Sequence, residues 1–234
     1  MKVLIVYAHP EPKSFNGAMK DLAVKTLTKR GHTVEVSDLY AMKFNPAGGK
    51  GDFTELSDPA FFKFGIEQVE ACRKGTFAPD VAAEMEKVLR ADFVILQFPL
   101  WWFSLPAILK GWVDRVFASG FAYGAGKWYD RGPLRGRKAM LAVTTGGPRN
   151  FYAPSGINGD INQLLFPIEH GILYFSGMQV LPAFIAWSVA RESGAERARC
   201  LEEYRERLML IEECPTLPFP KLDDYDENMM LKTR

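Results

Sequence analysis

A chain of 234 residues, 47% hydrophobic and 24% charged, has the make-up of one soluble globular domain with a sizeable core. A formal net charge of +1 excludes the strongly basic profile of a nucleic-acid or membrane-surface binder, and no apolar run reaches the ~20 residues that cross a bilayer. Three scattered cysteines, Cys72, Cys200 and Cys214, with no CxxC pair, fit a reducing cytoplasm rather than a disulfide framework.

Residues 2–8 read as a first buried strand, β1, that starts too close to the N-terminus to leave room for a signal peptide. The linker His9 to Asn16 follows, then a helix from about 16 to 30 that Gly31 closes. Thr33 to Val36 alternates and predicts an edge strand, β2. Residues 38–66 carry Gly48, Gly49, Gly51 and several aromatics in no clear period. They predict a long excursion, of the kind compact domains keep for function or for a partner. Asp80 is expected to open and cap a helix to about Arg90. Phe93 to Phe98 is almost continuously apolar, as a strand buried on both faces of a parallel sheet reads; this is β3. Pro99 brings no amide hydrogen to a ladder and is expected to stop it.

From Pro106 a helix carries Ile108, Leu109, Trp112, Val113, Val116 and Phe117 at helical spacing. A Gly-rich insertion covers 118–136, Lys138 to Thr144 predicts β4, and a Gly-rich loop to about Gly159 leads into a helix to about 172. Met178 to Leu181 suggests β5. The last helix, about 194–213, sets Leu201, Tyr204, Leu208 and Ile211 inward and Glu202, Glu203, Arg205, Glu206 and Arg207 in solvent. Residues 1–213 therefore read as one domain and 214–234, rich in Pro and Asp, as an arm without a core of its own. Strands alternating with helices predict an α/β fold, a doubly wound five-stranded parallel sheet of flavodoxin-like order 2-1-3-4-5 with helices on both faces.

In that order β1, β3 and β4 are neighbours, so the loops at their carboxyl ends converge where open α/β sheets bind ligands. In the first loop Ser14 and Asn16 stand at a helix start, whose amides and dipole favour an anion, although N-capping alone accounts for both. His9 lies beside them. In the second, Leu100, Trp101, Trp102 and Phe103 form an aromatic wall suited to a flat conjugated ligand, or else cover a sheet edge as ordinary core aromatics. In the third, the paired glycines of Thr144-Thr145-Gly146-Gly147 let amides approach a ligand that gains charge on reduction, or else make a plain turn. Neither GxGxxG nor GxxxxGK[ST] is present. The three loops together suit a planar heteroaromatic ligand with a phosphate tail, the shape of a flavin.

Longer strings carry a resemblance. They are Ser37-Asp-Leu-Tyr-Ala-Met42 with Phe44-Asn-Pro46, Gln97-Phe-Pro-Leu100 with Trp102-Phe103, Pro106-Ala-Ile-Leu-Lys-Gly-Trp112, Phe121-Ala-Tyr123, Thr144-Thr-Gly-Gly147 and Gly171-Ile-Leu173. Through them, over nearly its whole length, the chain resembles the NAD(P)H:quinone oxidoreductases, or DT-diaphorases. The resemblance implies a cytoplasmic homodimer that binds FAD and passes a hydride from NADH or NADPH to the flavin and then to a quinone, by a ping-pong sequence. Its sites would span the dimer interface. It implies that Ser14, His9, Phe15 and Asn16 meet the phosphates and ribityl chain, and that Pro99, Leu100, Trp101, Trp102 and Phe103 meet the isoalloxazine. Thr144, Thr145, Gly146, Gly147 and Tyr152 would line the flavin's polar edge, and Arg197 and Leu201 the adenine end; Arg197 reads as one turn before Leu201 on the inward stripe of the last helix, an odd place for a merely solvated Arg. Trp102, Tyr123, Gly124 and Phe175 would contact the substrate, and Lys63 would reach the partner's FAD. Tyr152, Asn158 and Tyr123 would be the catalytic group.

Two departures from the family pattern bear on chemistry. Asn158 stands where the family's Tyr–His pair has its His, and Asn cannot take a proton near neutral pH. A branch of the family with Asn there prefers dihydronicotinamide ribosides, which makes a riboside a third candidate donor. That branch also holds a metal through a His pair, of which only His170 is present here, with Tyr174 four residues on; no metal is expected. Gly124-Ala125-Gly126 stands where a second aromatic can follow Tyr123, which predicts an open pocket. The competing functions are a flavin-dependent azo- or nitroreductase, a one-electron flavodoxin, and a regulatory flavoprotein subunit of a membrane potassium efflux system. The aromatic insertions argue against the flavodoxin. Neither nucleic-acid binding nor stable membrane insertion is expected.

Overall fold

The structure, a computed structural model, describes residues 1–232; Thr233 and Arg234, the end of the expected arm, lie outside the described residues. The strands are β1 (Lys2–Tyr7), β2 (Thr33–Asp38), β3 (Phe93–Pro99), β4 (Lys138–Thr144), β5 (Gln179–Val180) and β6 (Phe184–Ala186). They pair in parallel in the order β2-β1-β3-β4-β5, as expected, with β6 also on β4. The fifth position is in two pieces: β5 pairs with Lys138 and Ala139, β6 with Ala142 to Thr144. Pro182 lies between them and lacks the amide that a continuous ladder needs. The expected strand at Met178 to Leu181 is therefore shorter, and β6 was not legible beside it.

Alternation along the strands divides the core in two. Val3, Ile5, Tyr7, Phe93, Ile95 and Met140 face α1 (Phe15–Lys29) and α6 (Gly194–Met209), which contribute Met19, Ala23, Leu27, Tyr204 and Leu208. Leu4, Val6, Val94, Leu96, Phe98 and Leu141 face α3 (Pro79–Arg90), α4 (Ala107–Val116) and α5 (Ile161–Ile168). Among the described residues, no helix is long and apolar enough to cross a membrane.

Several local expectations are corrected. β3 does end at Pro99, but the proline is its last residue, opposite Thr144, rather than lying beyond it, and the Leu100 amide that follows still donates to the Thr144 carbonyl at 2.8 Å. Asp80 does not cap α3: the helix starts behind Ala78 with Pro79 in its first turn, and Asp80 instead meets Arg115 at 2.9 Å. The excursion from residue 38 runs into a helix the sequence did not reveal, α2 (Phe64–Lys74). Its periodicity is inverted, with Ile66 and Val69 exposed and Glu67, Gln68 and Ala71 buried. The helix expected to reach 172 widens after α5 into a π-turn, Glu169–Tyr174, just past Pro167, which withholds one amide from the α ladder. Arg207, expected in solvent, is half-buried and donates to the Pro182 carbonyl.

The excursion is fixed by buried contacts. Arg115 donates to Asp52 Oδ1 and to the Asn45 carbonyl, both at 2.9 Å. Beside it Gly111 lets α4 touch the excursion so closely that a Cβ there would sit 2.1 Å from the Pro46 oxygen. Gly111→Ala is expected to cost at least ~2 kcal/mol of stability by overpacking, read as a lowered midpoint in urea at unchanged m-value.

Glu169, nearly buried in the π-turn, has its carboxyl pushed up to about 7 by desolvation. The folded state thus holds this proton more tightly than the unfolded chain. The stabilisation is complete below about pH 4.5 and is lost as pH rises through about 7, up to ~3 kcal/mol in all. Glu169→Gln, neutral at every pH, is expected to melt above the parent at pH 8.5 and close to it at pH 5. A difference independent of pH in calorimetry would contradict this.

Candidate active site

The site is built at the carboxyl ends of β1, β3 and β4. Ser14 accepts from the Gly17 amide at 3.1 Å and so caps α1. Asn16 does something else. Buried in the first turn, it donates from Nδ2 to Thr144 Oγ1 at 2.7 Å, while its carbonyl accepts from Gln97 Nε2 at 2.5 Å. Among the described residues, Asn16 Oδ1 and Gln97 Oε1 have no protein partner although both are buried. The first turn of α1 carries no acidic side chain, so its dipole is uncompensated. His9 turns back on its own loop, with Nδ1 3.1 Å from both the amide and the carbonyl of Glu11.

After β3 the chain makes a tight turn, Trp101 to Ser104, in which the Ser104 amide donates to the Trp101 carbonyl at 3.0 Å. Its two central residues are Trp102 and Phe103, with φ of 49° and 58°. Both are left-handed, where Asn or Gly is ordinarily found, at a cost of roughly 1–2 kcal/mol each. The turn presents Trp102, 95% exposed, with Trp101 and Phe103 partly so beside it. These aromatics are not core cover, because they face water.

In the loop after β4, Thr145 Oγ1 donates to the Gly147 carbonyl at 2.8 Å and accepts from the Ser188 amide at 3.3 Å. Tyr152 and Asn158 flank Gly147: a Cβ built there would lie 3.2 Å from the Tyr152 ring and 3.6 Å from Asn158 Nδ2. Tyr152 is buried, with its ring 5.6 Å from Trp187, and Asn158 is half-buried.

Two cavities sort the remaining candidates. One, of about 500 Å³, gathers His9, Ser14, Phe15, Asn16, Thr144 and Arg197, together with Lys13, Val189 and Ala190. Its lining holds basic side chains and no carboxylate, which suits an anion. Arg197 is exposed at its rim rather than on the inward stripe of α6, and Leu201 packs one turn further on against the core. The second cavity, of about 550 Å³, lies between the excursion, α4 and the π-turn and holds Tyr123 and Phe175, their rings 5.5 Å apart. Gly124 does not line it. It belongs to a hairpin turn with Ala125 and Gly126, closed by Gly124 and Lys127 bonding each other's backbone at 3.2 and 2.9 Å. Across that turn Trp128 stacks on Phe175 at 6.4 Å, so the second aromatic arrives from a position the sequence did not single out.

Lys63 lines neither cavity and sits over the exposed Phe61 ring at 5.3 Å. His170 lies among aromatics, stacked on Phe166 at 4.6 Å, and no group of three potential metal ligands occurs among the described residues. Lys13, Gln97, Trp128 and Trp187 are the neighbours that sequence reasoning missed. Of these only Gln97, polar within an otherwise apolar strand, left a signal.

A family model for the flavodoxin-like fold matches residues 1–208. The chain is 49% identical over 211 residues to the orangutan (Pongo abelii) ribosyldihydronicotinamide dehydrogenase [quinone], covering 90% of this chain and 91% of that protein. The chain belongs to the NAD(P)H:quinone oxidoreductase family. Within it, the rat (Rattus norvegicus) NAD(P)H dehydrogenase [quinone] 1 is 44% identical over 97% of this chain and 83% of its own length. A Klebsiella pneumoniae structure, provisionally described as a quinone reductase, superposes with a TM-score of 0.96 at 42% identity, covering 99% of this chain and 94% of that one. A Treponema denticola general stress protein solved with FMN matches at TM-score 0.63 and 27% identity, over 91% and 99% of the two chains.

Trp102→Asn tests the turn. Asn accepts the left-handed conformation, and almost no burial is lost with the exposed ring, so the flavin-free protein is expected to gain ~0.5–1 kcal/mol in urea unfolding. Flavin retention through gel filtration should fall in the same variant.

Proposed function

We propose that the chain is an FAD-dependent quinone reductase of this family, with its site at the Asn16, Trp102 and Gly147 rim. The observation that carries this reading is the union of a basic, carboxylate-free cavity on an uncompensated helix start with an exposed aromatic turn next to it. The unpartnered Asn16 Oδ1 and Gln97 Oε1 fit a polar ligand, and Thr144, Thr145, Gly146 and Gly147 would hold its flat end together with Pro99 and Leu100. FAD is preferred to FMN because the cavity continues past the helix start to Val189, Ala190 and Arg197, with Leu201 behind, where an adenosine would lie. When bound, the flavin supplies two-electron hydride chemistry between a reduced nicotinamide and a quinone.

The chain's own residues bind, orient and supply hydrogen bonds. The Tyr152 ring and the Asn158 amide flank Gly147, and the Tyr152 hydroxyl and that amide would donate to negative charge developing at the flavin's carbonyl edge. The Asn158 amide, unlike an imidazole, takes no proton near neutral pH, so this position adds no His-like titration. An amide in place of an imidazole, with the ribosyldihydronicotinamide dehydrogenase among the relatives, favours a dihydronicotinamide riboside as a donor at least equal to NADH and NADPH.

A homodimer is part of the proposal. Tyr123 and Phe175, the candidate acceptor contacts, share a cavity that the Trp101–Phe103 turn does not line. A partner's copy of that cavity would cover the exposed Trp102, making a shared site for donor and acceptor in turn. The domain is taken as 1–213 with residues 214–234 as an arm, in a cytoplasmic protein.

The decisive experiment is chromatography of the released cofactor, with benzoquinone reduction by NADH, NADPH and dihydronicotinamide riboside in parallel. FAD and parallel double-reciprocal lines are expected; FMN, or converging lines, would overturn the corresponding part. Tyr152→Phe is expected to slow flavin reduction roughly 10²-fold, the low end of the acid–base range, as suits one neutral hydrogen-bond donor. Asn158→His should introduce a break near pH ~6.5 that the parent lacks, read by stopped flow from pH 5.5 to 8.5.

A further inference from the structure

We propose that residues 217–223 of the arm position the acceptor wall, acting through Tyr174 and Tyr129 on Phe175. The inference rests on the reading above that Phe175 faces the acceptor.

The arm is joined to the fold at defined points. The Leu217 amide donates to the Val180 carbonyl at 2.7 Å and continues the sheet edge. The Phe219 ring lies 5.0 Å from Tyr174 and 5.1 Å from His170. The Tyr174 hydroxyl donates to the Pro220 carbonyl at 2.7 Å. The Leu222 amide donates to Asp130 Oδ1 at 2.9 Å, and Asp223 pairs with Arg131 at 2.5 Å.

Asp130 and Arg131 directly follow Tyr129, and Tyr129 is the residue that needs holding. Its φ is +49°, a left-handed conformation that an aromatic residue keeps only where its surroundings impose it. Its amide donates to the Phe175 carbonyl at 2.8 Å, and its ring meets Phe175 edge-on at 5.2 Å and Tyr174 at 5.5 Å. Phe175 in turn contacts Tyr123 and Trp128. The arm thus grips both residues after the strained tyrosine, and the tyrosine grips the wall from behind. A filler strand would need apolar contact only. Here, beside the apolar contacts of Phe219, the bonds to Asp130 and Arg131 are directional and fall next to the tyrosine that buttresses Phe175.

The test uses the full-length flavoprotein with Phe219→Ala, Asp130→Ala and Tyr174→Phe. Tyr174→Phe removes a single hydroxyl and keeps the packing, so it stays informative if a larger deletion unfolds the arm. Phe219→Tyr serves as the conservative replacement and Phe175→Ala as the wall itself. Flavin content, melting temperature and the kinetics with a naphthoquinone are measured for each.

The expected result is a rise of about fivefold in quinone KM for Phe219→Ala, Asp130→Ala and Tyr174→Phe, which each cut a contact between the arm and the fold, with kcat within about twofold, flavin content unchanged and Phe219→Tyr near the parent. Parent-like KM in all three, with Phe175→Ala raising KM, would overturn the inference and leave the proposed site standing. KM, kcat and flavin content failing together would show that the arm only holds the fold. Phe175→Ala with parent-like KM would remove the wall reading and this inference with it.

Discussion

The start of α1, the body of β3 and the end of β4 meet at one residue, Asn16, and the arrangement of the rim depends on that junction. Asn16 donates from Nδ2 to Thr144 Oγ1 at the end of β4, and its backbone carbonyl accepts from the Gln97 side-chain Nε2 on β3. The start of α1 is thereby pinned over the two central strands. Removing one partner would leave a buried polar group unmet, at about 1–3 kcal/mol. The pin also turns the helix dipole toward the same edge as the Trp101–Phe103 turn and the Gly147 loop, so binding groups from distant parts of the sequence share one rim.

Strain and exposure mark the same rim. Trp102 and Phe103 occupy left-handed conformations and present apolar rings to water, two costs that the isolated chain does not recover. Under the proposed function, a flat ligand and a second copy of the chain would cover these rings. The rest of the edge is held by ordinary means: Ser14 as a cap, Gly147 as the glycine that leaves room for Tyr152, and Arg115 anchoring the excursion to α4.

Strand order and both core faces were legible because β1, β3 and β4 are long, apolar and clearly bounded. β6 was not, because three residues after a proline carry no period. α2 escaped because its apolar side faces outward, which inverts the signal that periodicity relies on. Asp80 looked like a cap since an acid beside Pro79 at a helix start usually is one; only the fold brings Arg115 to it. At the site, local strings located the three loops, but not Trp128 against Phe175 or Trp187 against Tyr152, where contacts span tens of residues. Arg197 was placed near the cavity for the wrong reason, since it sits exposed at the rim and not on the inward stripe.

The contacts between the arm and residues 130–131 join positions 92 apart in sequence. Contacts so far apart in sequence close a long loop, so they form after the local contacts of the sheet and helices. None of residues 214–232 is fully buried, so this segment can open while the sheet stays folded, and Tyr129 then loses the bonds beside it. Opening at the sheet's outer edge is thereby transmitted to the Tyr129–Phe175 region without the core giving way.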